Sequence, residues 1–182
     1  MAQVASLAQG TGSKRPANIT WTAIGVDSAP AAPMAAFGPG GGLRVLRQTE
    51  MLGHSLLGPG GEVTETAAAL SGKGAIALYF SAHWCPPCRG FTPQLANWYR
   101  EDLQAKGLEV VFVSSDKDEA SFKEYFAEQP WLALSYADRS LQKKLNRALK
   151  VEGIPTLVIL DADLNVVTTD GRGAVAADPT GA

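Results

Sequence analysis

The sequence predicts an α/β domain with a central mixed β-sheet flanked by helices. Three features point there: a short buried-strand run at Gly74–Phe80, amphipathic helical stripes alternating with further apolar runs, and two closing runs split by the turn sequence Asp161-Ala162-Asp163. At 182 residues the chain is sized for one such domain.

Residues 1–42 stand apart. Ten Ala, seven Gly and four Pro make up half of them, and of the chain's 16 basic and 18 acidic side chains only Lys14, Arg15 and Asp27 fall here. Such a segment buries too little apolar area to offset the entropy of ordering it. It reads as an irregular, low-complexity tail or linker, held in place only by a partner assembly or by the surface of a domain spanning 43–182. An organelle transit peptide would also be Ala-rich and poor in acid, but one Arg and no amphipathic stripe argue against that reading.

Within the domain, Gly74–Phe80 is apolar, β-prone and of strand length. Residues 88–105 set Phe91, Leu95, Trp98, Tyr99 and Leu103 on one helical stripe, kinked at Pro93 and closed by Gly107. Glu109–Val113 is a second strand. Ser121–Glu128, with Phe122 and Phe126 one turn apart, is a second helix stopped by Pro130. Leu141, Leu145 and Leu149 mark a third helix, and Thr156–Leu160 with Leu164–Thr168 an antiparallel hairpin.

Charge and hydropathy exclude several classes. A net charge of -2 with no basic run argues against nucleic-acid binding. The longest apolar run, Ala75–Phe80, is far short of the ~20 residues that cross a bilayer, so no membrane association and a cytoplasmic protein are expected. Nothing in the pattern implies a cofactor. The two cysteines, Cys85 and Cys88, are too few for a disulfide-stapled secreted domain, and their spacing from His54 and His83 matches no zinc module.

What the pair can do follows from its position. It lies between the strand run ending at Phe80 and the helix carrying Phe91, which puts Cys85 at a helix N-terminus, where free backbone N–H groups and the positive end of the dipole favour an anion. Thiols near ~8.5 in solution fall to roughly 3.5–7.5 in that setting. Pro86 and Pro87 have no N–H to offer the sulfur, which leaves Cys88 N–H as the nearest donor; both prolines suit a first helical turn and hold the spacing rigid. The expected chemistry is thiol–disulfide exchange, with Cys85 attacking and Cys88 resolving.

The stretch Tyr79-Phe-Ser-Ala-His-Trp-Cys-Pro-Pro-Cys-Arg-Gly-Phe-Thr-Pro-Gln-Leu95 resembles the active-site segment of the nucleoredoxin and tryparedoxin branch of the thioredoxin superfamily. Val111–Asp116, Ser121–Leu134 and Gly153–Leu157 resemble the same branch, and together they span about Leu52 to Gly181. The resemblance implies a thioredoxin fold and protein-disulfide reductase activity at Cys85 and Cys88, with Trp84 flanking the thiol and shaping the docking surface. It also implies a cis Pro155 against the cysteines, with Ile154 backbone pairing to the substrate chain. Tyr79 stands where thioredoxins proper have a buried Asp, so Tyr79, through water, and Asp116 become the candidate proton acceptors. Past Thr169 the chain runs through Gly171, Gly173, Pro179 and Gly181, where the family continues further, and one edge of the domain is expected to be thinly covered.

The leading functional expectation is therefore a cytosolic or nuclear oxidoreductase acting on disulfide-containing client proteins. Its upstream reductant would be a low-molecular-weight dithiol, glutathione or a thioredoxin reductase. The competing expectation is a thioredoxin-like binding or redox-sensing subunit of a larger signalling or ciliary assembly. Peroxidase chemistry is disfavoured, because Ala82 rather than Thr lies three residues before Cys85.

Overall fold

The computed structural model describes residues 41–181, so the tail expected over 1–42 lies, except for its last two residues, outside the described residues. In chain order the elements are α1 (Gly41–Leu52), β1 (Ser55–Leu57), β2 (Val63–Glu65), α2 (Thr66–Ala69), β3 (Ala75–Ser81) and α3 (Pro86–Trp98), which runs into a π-helical turn at Tyr99–Leu103. Then come β4 (Leu108–Ser114), α4 (Glu119–Phe126), β5 (Leu132–Ala133), α5 (Arg139–Ala148), β6 (Thr156–Asp161), β7 (Val166–Thr168) and α6 (Gly171–Ala177). The strands form one mixed sheet in the order β2-β1-β5-β4-β3-β6-β7, parallel at β3–β4 and β4–β5 and antiparallel elsewhere.

All seven residues of β3 are buried because helices cover both faces of the sheet, which is why its sequence is a continuous apolar run rather than an alternation. Ala75, Ala77 and Tyr79 enter a core shared with α3, α4 and α6; Ile76, Leu78 and Phe80 enter a second core shared with α1, α5 and Leu70, the residue that ends α2. Pairing of Phe80 with Thr156 sets Pro155 beside the end of β3, next to the loop that starts α3. That register is what assembles the site.

The third helix is α5, from Arg139 to Ala148. The expected hairpin forms as β6 and β7, its turn fixed by Asp161, whose carboxylate accepts from the Asp163 and Asn165 N–H groups and from Asn165 Nδ2, each at 2.9 Å. The second helix begins at Glu119 rather than Ser121, because the Asp118 carboxylate caps it by accepting from Ser121 N–H at 2.8 Å.

Other segments differ from expectation. The predicted helix over 88–105 starts at Pro86 and ends in the π-turn, where Gln104 N–H reaches back five residues to Tyr99 O at 3.0 Å; the wider turn keeps both Tyr99 and Leu103 buried. The glycine-containing stretch after Thr169 is helix α6. Asp170 caps it by accepting from Gly173 N–H at 3.1 Å, and Val175 is buried. Gly171 is required there, since a Cβ would lie 2.6 Å from Leu157 O. This helix packs Val175 into the core beside β6, while Val166 and Val167 of the edge strand β7 stay exposed. Among the described residues no helix is long and apolar enough to cross a membrane.

Candidate active site

Cys85 is the N-cap of α3, in extended conformation, and Pro86 and Pro87 occupy the first two helical positions. With no N–H on either proline, the Cys85 sulfur accepts from Cys88 N–H at 3.3 Å. The two cysteines form a disulfide with their Cα atoms 5.2 Å apart. A thiolate on Cys85 in the reduced protein would face the same N–H and the positive end of α3.

The helix-tip position does not leave the sulfur open to solvent. Cys85 is only 4% exposed and Cys88 not at all. Ala82 and Ile154 pack around the pair, and Cys85 Sγ lies 3.7 Å from Ile154 O. The Ile154–Pro155 bond is cis. Arg172 on α6 steadies this loop by donating to Pro155 O at 3.3 Å while lying over the Phe91 ring at 4.9 Å.

The loop before Cys85 is fixed from β4. The Asp116 carboxylate, 2% exposed, accepts from His83 N–H and from the Ser114 hydroxyl, both at 2.8 Å. Trp84 donates its Nε1–H to Ser115 O at 3.1 Å, leaving a ring that is 54% exposed, with Lys117 Nζ 5.9 Å from its centroid. His83 stacks on Tyr125 (5.6 Å between centroids, 21° between planes) with Nδ1 3.8 Å from Glu124 Oε2. Trp84 is thus the exposed apolar feature beside the sulfur, whereas Asp116 holds the loop through Oδ1 and is itself anchored to the end of β4 through Oδ2.

Tyr79, expected as a proton acceptor, has a different setting. Its hydroxyl is fully buried, and burial, reinforced by neighbouring Tyr125, pushes its pKa far above the ordinary tyrosine value. It therefore stays protonated at neutral pH and makes hydrogen bonds: 2.7 Å to Thr92 Oγ1, and 3.1 Å from Ser81, which donates to it. Ser81 also meets Tyr125 OH at 3.1 Å, Tyr125 OH meets Thr92 Oγ1, and Thr92 donates to Cys88 O at 3.0 Å. The four hydroxyls form a closed ring behind Cys88.

Sequence reasoning missed Ser81, Thr92, Tyr125 and Arg172. Thr92 had a signal, one helical turn after Cys88. Arg172 had none, because no helix was expected after Thr169. Among the described residues no three His, Cys, Asp or Glu side chains converge as a metal ion would need.

A family model described as thioredoxin-like matches residues 74–166. A tryparedoxin from Trypanosoma brucei brucei is 46% identical over 129 residues, covering 70% of this chain and 88% of that protein. Human nucleoredoxin is 44% identical over 130 residues, covering 71% of this chain, and the match spans 29% of nucleoredoxin's own length. The structure of native tryparedoxin I from Crithidia fasciculata superposes with a TM-score of 0.68 at 41% identity, over 76% of this chain and 94% of that one. The sheet and helices described above are the thioredoxin fold.

Proposed function

Because the chain belongs to the thioredoxin-like family of oxidoreductases, on the tryparedoxin and nucleoredoxin side of it, we propose that it is a protein-disulfide reductase working through Cys85 and Cys88. One observation carries this reading: Cys85 caps α3 with its sulfur on the Cys88 N–H, and Cys88 is already within bonding reach of it.

In the forward cycle the Cys85 thiolate attacks one sulfur of a client disulfide. A Cys85–client disulfide forms, and the other client sulfur leaves as a thiolate that takes a proton from water. Cys88, deprotonated, then attacks Cys85 Sγ. The Cys85–Cys88 bond forms, the bond to the client breaks, and the second client thiolate departs and is protonated. The client gains two electrons and the enzyme loses them. An external thiol reductant returns them and ends as a disulfide itself.

Trp84, Ile154 and Pro155 frame the sulfur and supply the docking surface, with the Ile154 backbone able to pair with an extended client chain. A tryparedoxin II has been solved in complex with glutathionylspermidine, which supports a small thiol as the reductant here. We place the activity in the cytosol or nucleus, where such reductants maintain dithiols. A second reading is favoured by the partial match to nucleoredoxin: the domain as a redox-sensing module of a larger assembly.

Insulin reduction with a dithiol reductant separates the two. We expect sustained turnover by the full chain, loss of it in Cys85→Ser, and client mixed disulfides retained by Cys88→Ser. Turnover at the level of Cys85→Ser would replace the reductase reading with the module.

A further inference from the structure

Behind Cys88 lies a feature that the exchange chemistry does not itself require. Four hydroxyls, on Tyr79, Ser81, Thr92 and Tyr125, are buried in an otherwise aromatic core and bond to one another in a ring: Tyr79 to Thr92, Thr92 to Tyr125, Tyr125 to Ser81 and Ser81 to Tyr79. Thr92 makes one contact more, to the carbonyl oxygen of Cys88. Burying this many hydroxyls is costly unless each is paired.

Proton bookkeeping identifies the sensitive point. Four hydroxyls bring four protons. The ring has four links and Cys88 O is a fifth acceptor, so one of the five contacts must lack a proton. If Thr92 donates to Cys88 O, one link of the ring is left as two facing oxygens. If Thr92 donates around the ring, every link is filled and Cys88 loses its side-chain donor. Burial keeps Tyr79 protonated, so ionisation of that residue does not relieve the shortage but would deepen it. The proton on Thr92 is contested between the ring and the resolving cysteine.

We propose that Thr92 is a positioning residue for Cys88, and that the ring of Tyr79, Ser81 and Tyr125 hydroxyls sets how firmly Thr92 holds it. The contact is present with the disulfide closed, and the role assigned to it is to favour the closed pair over the open dithiol. Tyr125 extends the effect outward, because its ring carries His83 of the loop that leads to Trp84 and Cys85. This inference rests on the redox reading of Cys85 and Cys88 but not on any particular client.

The count gives variants of opposite sign. Thr92→Val removes the donor to Cys88 O, and the disulfide should become easier to reduce by about tenfold, the size of one lost hydrogen bond, or ~30 mV for a two-electron couple. Tyr125→Phe keeps the ring stacked on His83 but leaves three protons for three contacts, so Thr92 is freed to hold Cys88. The disulfide should then become harder to reduce by roughly threefold. Ser81→Ala leaves the same three-for-three count and should shift the same way. Thr92→Ser should restore the wild-type value.

The measurement is equilibration of the full chain in reduced and oxidised glutathione, with the closed disulfide quantified after thiol alkylation. Glutathione supplies the two electrons and two protons and becomes its own disulfide. Opposite shifts in Thr92→Val and Tyr125→Phe, with rescue by Thr92→Ser, are the expected result. Shifts of the same sign, or none beside a mere loss of thermal stability, overturn the proposal. Should Thr92→Val fail to fold, unchanged equilibria in both Tyr125→Phe and Ser81→Ala overturn it equally. A wild-type chain that never titrates reversibly overturns it together with the redox reading. One that titrates yet fails to turn over insulin removes only the reductase reading.

Discussion

The two faces of the sheet are packed by different chemistry. Toward α1, α2 and α5 the core is aliphatic, built on Leu52, Leu70, Ile76, Leu78, Val111 and Leu145, with Phe80 among them. Toward α3, α4 and α6 it is aromatic: Phe112 stacks on Phe122 at 5.8 Å and meets Tyr125 edge-on at 5.7 Å, and Trp131 meets Tyr79 and Tyr99 edge-on at 5.9 and 5.7 Å. Aliphatic side chains bring no polar atom of their own. Tyrosines do, because a large apolar ring ends in a hydroxyl that needs only another hydroxyl nearby. The aromatic face can therefore reach the cysteine-bearing helix with hydrogen bonds, whereas the aliphatic cluster meets the sheet through packing and the polar groups of its helices bond elsewhere, as Thr66 does by donating to Gly53 O at 2.7 Å.

The largest expected effect tests that division from the aliphatic side. Leu78 is wholly buried at the centre of β3. Leu78→Ala should cost about 2–5 kcal/mol of stability through lost burial and the cavity left behind, read by urea unfolding. The glutathione equilibrium of the Cys85–Cys88 pair should stay where it is. A tenfold change in that equilibrium would mean that the two faces are not separable as described.

A smaller effect comes from the aromatic side, at alkaline pH. Burial raises the pKa of both Tyr79 and Tyr99, with Tyr125 adding to the first and Glu109 to the second. Each tyrosine holds its proton more tightly folded than unfolded. The stability it contributes is therefore complete below the unfolded value near ~10 and is lost as pH climbs toward the raised folded value, by up to about 1.4 kcal/mol per pH unit per tyrosine. Tyr99→Phe should flatten part of the alkaline fall. Near neutral pH it should cost only about 1 kcal/mol, because Glu109 keeps Lys73 at 2.7 Å and Val110 N–H at 3.2 Å. Equal alkaline slopes in wild type and variant would show that these hydroxyls do not carry the linkage.

The same contrast explains what the sequence made legible. Continuous or periodic apolar runs are strong signals, so β3, β4, α4, α5 and the β6–β7 hairpin could be read from residues alone, as could Cys85 with two prolines behind it. The elements between Gly41 and Ala69 could not. β1 and β2 are three residues each, Val63 is exposed on an edge strand, and α1 turns Leu43 and Leu46 to the outside, which erases its stripe. The hydroxyl ring was invisible for another reason. Tyr79, Ser81, Thr92 and Tyr125 come from three elements, and only the register of β3 and the packing of α3 and α4 bring them together. The cover over Cys85 was hidden likewise, since Ile154 lies 69 residues further along the chain.

The smallest expected effect lies at α6, which Gly171 and Gly173 concealed. Its one local signal is Asp170, whose side chain accepts from Gly173 N–H. Asp170→Ala should cost about 0.5 kcal/mol, the low end for an N-cap because this one is exposed, and Asp170→Ser should recover most of it. The consequence reaches the site, because Arg172 donates to Pro155 O from the first turn of this helix. Fraying α6 should loosen the loop over Cys85 before it unfolds the sheet, so amide exchange should accelerate at Arg172 to Val175 while β3 amides keep their protection. If exchange rose equally in β3, α6 would belong to the same cooperative unit as the sheet. The aromatic face would then be one rigid block, with Arg172 tied to the core rather than to a separately opening cover over the disulfide.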